Sequence, residues 1–369
     1  MGLLVGLLLM YTFNPQGAWP GFLTILKGGF SDNARGFGQV LYYTTTYILV
    51  GLSVGFSFQN GLFNIGVIGQ FTIAAYIAII VGAKVTNLPG SVHWLVAMLS
   101  AGIAGAIWAA FPGMLKALFN VSEIITTIMM NYISMYLVNY LVYTTHYDKS
   151  IVSSAYIEKT ALMPKLGLDK IFPGSSVNAG LFIAILLAIA IYFILYKTTF
   201  GYSLRACGLN RHASKYAGIN EKRNIFLVMI IAGFIAGLAG GINYQSSITK
   251  VYKISETFIV EPGYSIPVAL LAHSNPIGII FSSLFIAHIT VGGSLSQGYG
   301  FPVETVGIIT AVIIYFSAFS LIVKNVIVKY LTRKKYLVDE NLDDQSAGVD
   351  NELDANQPPI EIVDSPTKQ

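Results

Sequence analysis

Residues 197–241 read KTTFGYSLRACGLNRHASKYAGINEKRNIFLVMIIAGFIAGLAGG. The first half gathers Lys197, Arg205, Arg211, Lys215, Lys222 and Arg223 into a short polar interval, and the second half turns apolar and rich in small residues. A dense basic connection between two apolar runs marks a cytoplasmic loop of a membrane protein, because Lys and Arg resist translocation and fix the orientation of the flanking helices. Composition agrees. With 54% hydrophobic and 11% charged residues and a mean hydropathy of +0.65, the chain has too little polar surface for a soluble domain of this length.

The net charge of +4 hides an asymmetry. Residues 336–369 hold nine acids and one base, which leaves 21 of the 22 bases and nine of the 18 acids, a charge of +12, in the rest of the chain. Such a body suits a bilayer of anionic lipids, whereas nucleic-acid binding needs its basic residues on a soluble face, so no nucleic-acid partner is expected. The acidic end, with Pro358 and Pro359, has too little apolar surface to fold and reads as a disordered tail. The expected division is a transmembrane domain over 1–335 and an acidic, disordered cytoplasmic tail over 336–369. Cys207 is the only cysteine, so neither an intrachain disulfide nor a cysteine-based metal site can form.

Outward from the basic loop, apolar runs at 40–58, 63–82, 92–111, 124–143 and 179–196 precede it, and runs at 225–242, 277–291 and 303–323 follow it. A transmembrane helix needs roughly 20 such residues to cross about 30 Å of hydrocarbon. Residues 2–13 form a further, shorter apolar run; with no basic residues ahead of it and no small-residue cleavage site behind it, it reads as a first helix rather than a signal peptide. Residues 14–35, broken by Pro15 and Pro20, read as an external loop with a short surface helix and Trp19 as interface anchor. Residues 144–177 and 243–262 are too polar for lipid and are also expected outside.

The last run leads into Lys324, Lys329, Arg333, Lys334 and Lys335, a second cytoplasmic signal, so an even number of crossings must separate the two basic regions. Parity then requires residues 263–273, GYSIPVALLAH, to cross as well, although 11 residues give only about 16 Å of helix. A short or broken helix is tolerated at membrane depth where it lines a cavity. The predicted fold class is all-α: a polytopic membrane protein of about ten transmembrane helices, one of them short or broken, with both termini cytoplasmic.

Polar residues within the spans are where function should show. Gln59, Asn60, Asn64 and Gln70 sit among the glycines of residues 55–69. Amides in hydrocarbon need partners and glycines let backbone unwind, which suits a broken helix beside a polar pathway; the same amides also suit helix-to-helix glue. Asn131 and Asn139 are further pathway candidates on one helix. Asn120 with Glu123 forms a variant of the capping box, which makes Glu123 a helix cap rather than a proton carrier. His273 and His288 have no second ligand at metal spacing, and no metal site is expected. Ala232, Ala236 and Gly240, with Gly233 and Gly237, lay a smooth stripe for close helix packing. No phosphate-binding loop or nucleophile elbow occurs, so no catalytic residue is expected and any ATP-driven step belongs to another chain.

Five motifs, in order, carry a family resemblance: GLFNIGVIGQ at 61–70, NVSEIITTIMMNYI at 120–133, LRACGLNRHASKYAGI at 204–219, AGFIAGLAGGI at 232–242 and PVALLAHSNPIGIIFSSLF at 267–285. The chain resembles bacterial ABC-importer permeases for simple sugars and nucleosides, a ribose-type, branched-chain amino acid permease-like family, and most nearly the nucleoside importer permeases. That resemblance implies a multi-pass protein of the bacterial plasma membrane, paired with a second related permease subunit. It implies an extracellular substrate-binding lipoprotein, a cytoplasmic ABC ATPase and a small-molecule cargo, with no cofactor in this chain and ATP used by the partner. It also implies that residues 208–219 form a short helix seated on the ATPase, with Arg205, Gly208, Asn210, Arg211, Ala213, Gly218 and Ile219 in the coupling loop. The chain departs from the family at Ile68, where a Glu is common, at Ser214, where a second alanine is common, and at 261–267, which lacks the usual Gly and Asp. The alternative from another class, an ion-coupled secondary transporter using Glu123, Glu304 or a histidine, is disfavoured because those carboxylates fall at predicted helix ends rather than mid-span.

Overall fold

The computed structural model describes residues 2–302 except 86, 146 and 150–152, together with 304, 307–308, 311–312 and 315–316. Most of the expected last span at 303–323, its basic cluster and the acidic tail therefore lie outside the described residues. The chain divides into two units, Met1–Tyr315 and Phe316–Gln369; the architecture that follows belongs to the first.

Helices α1 (Gly2–Phe13), α2 (Pro15–Lys27), α3 (Asn33–Gln59), α4 (Val67–Lys84), α5 (Gly90–Phe119) and α6 (Glu123–Thr145) lead into a long irregular stretch. It holds a two-residue antiparallel ladder of β1 (Tyr147–Asp148) and β2 (Ser153–Ser154), then the single turn α7 (Leu168–Ile171). Helices α8 (Gly180–Lys197), α9 (Thr199–Leu209), α10 (Arg211–Tyr216) and α11 (Glu221–Tyr244) follow, then the short α12 (Ser265–Leu271) and α13 (Pro276–Ser296). Seven stretches among the described residues are long and apolar enough to cross a membrane. The protein is a polytopic, all-α membrane protein.

Helix α11 is the hub, packing along α5, α4 and α3. Its small-residue stripe makes this possible: a Cβ at Gly240 would come within 2.6 Å of the Phe71 carbonyl oxygen on α4. Such backbone-to-backbone approach is how helices gain van der Waals contact where lipid supplies no hydrophobic drive. Polar pins accompany the stripe. Ser53 Oγ donates to the Ala232 carbonyl at 2.7 Å, and Asn243 Nδ2 donates to Thr46 Oγ1 at 3.2 Å. Helix starts are capped by side chains where the chain turns sharply, as at α13, where Asn275 Oδ1 accepts from the backbone of Ile277 and Gly278 and Pro276 takes the first position.

Four sequence expectations are corrected. Residues 14–35 are mostly helix, and Ala18, Gly21, Phe22 and Ile25 of α2 are buried, with α2 packed on α1 and α13; Pro15 takes the first position of α2, where proline is tolerated, and Pro20 lies inside it. The span expected from residue 63 begins at Val67, because residues 62–65 are irregular. Asn120 is not the cap of α6: it ends α5 in the left-handed conformation, φ 52°, and Glu123 instead binds Lys116, Nζ to Oε2 2.8 Å. The single short helix expected over 208–219 is divided, since Gly208 lies inside α9 and a new helix starts after Asn210. The short helix expected within 263–273 is present as α12, only seven residues long.

The outward faces differ in chemistry. On α5 the exposed large side chains include Leu99, Ile103, Ile107 and Phe111, and on α8 Phe182, Leu186, Ile189 and Phe193, all hydrocarbon. On α6 the exposed surface mixes Ile125, Met129, Ile133 and Leu137 with a row of tyrosines, Tyr132, Tyr136, Tyr140 and Tyr143.

Candidate coupling and translocation sites

Two ends of the bundle carry the candidate residues. At the basic end, the α3–α4 and α5–α6 turns meet the α9–α10 connection. Thr198 caps α9 by accepting from Gly201 N–H at 3.1 Å. Asn210, in extended conformation, caps α10 by accepting from Ala213 N–H at 3.0 Å, and Asn220 caps α11 through Arg223 N–H at 3.1 Å. Three caps within 23 residues hold three helix starts, so the connection is a jointed helical element rather than a loose loop.

Gly208 forms the seam with the bundle. A Cβ there would strike the Gln59 carbonyl, and the α-carbon of Gly208 lies 3.4 Å from where a Cβ on Gly61 would sit. The α9 backbone thus lies directly against the α3–α4 turn, with no side chain between them. Gly218 is different: its φ is +78° with open space around it, so glycine is required there by conformation alone. Arg211 Nε lies 3.6 Å from Glu221 Oε1, and Arg205 stacks on the Tyr196 ring at 4.9 Å. Leu209 and Tyr216, at the two tips, are 90% and 95% exposed. Beside α10 lies a cavity of about 320 Å³ lined by Lys116, Asn120, Arg211, His212, Glu221 and Lys222. Ala213 and Ile219 complete the element; the Ile219 N–H donates to the Ser214 carbonyl at 3.1 Å, closing the turn after α10.

The amides predicted for the pathway fall into two groups. Asn64, Gln70 and Asn131 are buried and engaged with one another's segments. Asn64 Oδ1 accepts from Gly66 N–H at 3.0 Å and from Gln70 Nε2 at 3.2 Å. Asn131 Oδ1 accepts from Gly69 N–H at 2.8 Å, while its Nδ2 donates to the Ile65 carbonyl at 3.1 Å. These bonds satisfy the backbone groups that the break before α4 leaves open. Gln59 Nε2 donates to the Ser274 carbonyl at 3.1 Å, tying the break to the turn before α13. Asn60 is buried, and among the described residues neither of its amide atoms has a partner.

Asn139 stands apart, at the long-loop end. Its Nδ2 donates to the Ser255 carbonyl at 2.8 Å, and its Oδ1 accepts from the Tyr252 hydroxyl at 3.1 Å. A cavity of about 390 Å³ lies here, lined among others by Tyr244, Lys250, Tyr252, Thr257, Phe258 and Glu261. Lys250 Nζ bonds Glu261 Oε1 at 2.7 Å. Burial opposes the charge of Lys250, but the neighbouring Tyr42, Glu261 and Tyr244 outweigh it and hold the ammonium above its ordinary pKa. Burial pushes the Tyr252 hydroxyl up to about 12, so it remains a donor at neutral pH. Sequence reasoning missed this cavity, because its wall comes from an irregular segment without periodicity; the available signal was the close spacing of Lys250, Tyr252, Lys253 and Glu261.

Among the described residues no group of three or more His, Cys, Asp or Glu is placed to hold a metal. The family described as branched-chain amino acid transport system / permease component matches residues 36–318. The guanosine ABC transporter permease protein NupP of Bacillus subtilis is 36% identical over 334 residues, which is 89% of this chain and 93% of the relative. The nucleoside ABC transporter permease protein NupB of Lactococcus lactis is 32% identical, covering 88% and 89%. The glucose ABC transporter permease protein TsgB13 of Haloferax volcanii is 31% identical, covering 76% and 75%. No solved structure gives a significant match. With a bundle of apolar helices, a jointed basic element at one end and a match across most of its length, the chain belongs to the family of branched-chain amino acid transport system permease components, and is a transport subunit rather than an enzyme.

Proposed function

We propose that this chain is the membrane permease subunit of an ATP-driven importer for nucleosides in the bacterial plasma membrane. The observation that carries this reading is the likeness to the guanosine and nucleoside permeases over nearly nine-tenths of the chain. The jointed element supports it: exposed Leu209 and Tyr216 flank α10 and offer an apolar and aromatic footing for a cytoplasmic ABC ATPase, while Gly208 carries its motion to the α3–α4 turn. The basic end then faces the cytoplasm, the long-loop end receives cargo from an extracellular binding lipoprotein, and a second related permease completes the channel. About ten crossings with both termini inside follow from the positive-inside rule. Gln59, Asn60, Asn64, Gln70 and Asn131 shape the pathway by holding the break beside α6 in place, and Asn139 lies at its outer mouth.

The ion-coupled alternative loses one of its candidate proton sites, since Glu123 is held by Lys116 at the start of α6. Radiolabelled nucleoside uptake in cells expressing the full transporter tests the proposal. Uptake should persist with a protonophore when ATP is maintained and stop when ATP is depleted; the reverse pattern overturns it.

A further inference from the structure

A lipid-facing helix has no use for hydroxyl groups. The large exposed side chains of α5 and α8 obey this, all being Leu, Ile, Val, Phe or Met. Helix α6 does not: beside exposed Ile125, Met129, Ile133 and Leu137 it carries Tyr132, Tyr136, Tyr140 and Tyr143, between 45% and 65% exposed and recurring at helical spacing over about 16 Å of its length. Tyrosine is at home at membrane interfaces, yet Tyr132 and Tyr136 sit near the middle of this span. Polar groups at such depth face a bundle interior or a water-filled cavity.

The row is also continuous with the outer cavity. The Tyr132 and Phe258 rings are 4.9 Å apart, and Phe258 lines that cavity with Tyr252, which is bonded to Asn139 of α6. Meanwhile Asn64, Gln70 and Asn131 spend their hydrogen bonds on backbone and on one another, leaving the aromatic face as the surface free to meet cargo. Every nucleobase has a π-face, and aromatic side chains bind bases by stacking without regard to sequence. Phenol hydroxyls add partners for ribose.

We propose that the tyrosine face of α6, continued by Phe258 and Tyr252, is the stacking wall along which a nucleoside passes through the membrane. This rests on the nucleoside-importer reading above. The test uses Tyr136→Cys and Tyr140→Cys in the complete transporter, with Leu186→Cys on α8 as the lipid-facing control. The unaltered chain is the blank, because its one cysteine, Cys207, is buried. A membrane-impermeant maleimide should label the α6 cysteines at least about tenfold faster than Leu186→Cys, and saturating guanosine should slow that labelling. Labelling no faster than the control assigns the face to lipid, labelling replaced by a crosslink to the second permease assigns it to helix packing, and labelling unaffected by guanosine assigns it to a water channel without cargo contact; each overturns the proposal. Tyr136→Leu should raise the KM for uptake several-fold while ATP hydrolysis is unchanged, and Tyr136→Phe should restore most of it. Absence of ATP-dependent guanosine uptake by the unaltered transporter defeats the nucleoside reading itself, whereas normal uptake with an unlabelled Tyr136→Cys defeats only the assignment of the wall.

Discussion

The two ends of the bundle are built by opposite means. At the basic end the decisive contact is backbone against backbone, Gly208 against the Gln59 carbonyl, and large side chains are left outward at Leu209 and Tyr216. At the long-loop end side chains hold the irregular chain in place: Asn139 to Ser255 and Tyr252, and Lys250 to Glu261. A backbone seam passes displacement on with little slack, as a lever requires. A side-chain network tolerates rearrangement, as a mouth that opens requires.

The sharpest way to break this contrast is Gly208→Val. Two methyl groups against the Gln59 carbonyl should lift α9 off the α3–α4 turn, so uptake falls at least about tenfold while binding of cargo by the external protein is untouched; an unchanged uptake rate in vesicles would remove the seam from the transmission path. Next comes a matched pair of amide removals. Asn131→Ala leaves the Gly69 N–H and the Ile65 carbonyl buried without partners and should cost about 2 kcal/mol, whereas the part-exposed Asn139→Ala should cost about 1 kcal/mol or less. Thermal unfolding in detergent reads both, and equal losses would erase the distinction between the sealed break and the open mouth. The smallest effect belongs to Gly218→Ala. Space is open there, so only the left-handed backbone is penalised, by about 1–2 kcal/mol; uptake should drop less than for Gly208→Val, and a larger drop would place the critical joint after α10 instead of at α9.

Much of this was legible in the residues. Long apolar runs located α3 to α6, α8, α11 and α13, because a bilayer demands length and hydropathy and little else. The glycines of α11 announced a close-packed hub. What periodicity could not give was the division of roles among polar residues. Asn64 and Asn131 lie 67 positions apart, and that both satisfy the backbone of one break depends on how α4 and α6 pack. Asn120 followed by Glu123 matched a cap pattern, yet the left-handed turn at Asn120 and the reach of Lys116 gave both residues other partners. The tyrosines of α6 were visible as letters; their significance appeared only when the large exposed side chains of α5 and α8 proved to carry no hydroxyl.

The amide-sealed break before α4 also sets an order of birth. Residues 62–65 leave the ribosome long before Asn131, the side chain that closes Ile65 and Gly69. Until α6 arrives, those peptide groups have no such partner, and hydrocarbon offers none. A chain that lacked α6 would leave the Ile65 carbonyl and the Gly69 N–H without the partner that closes them.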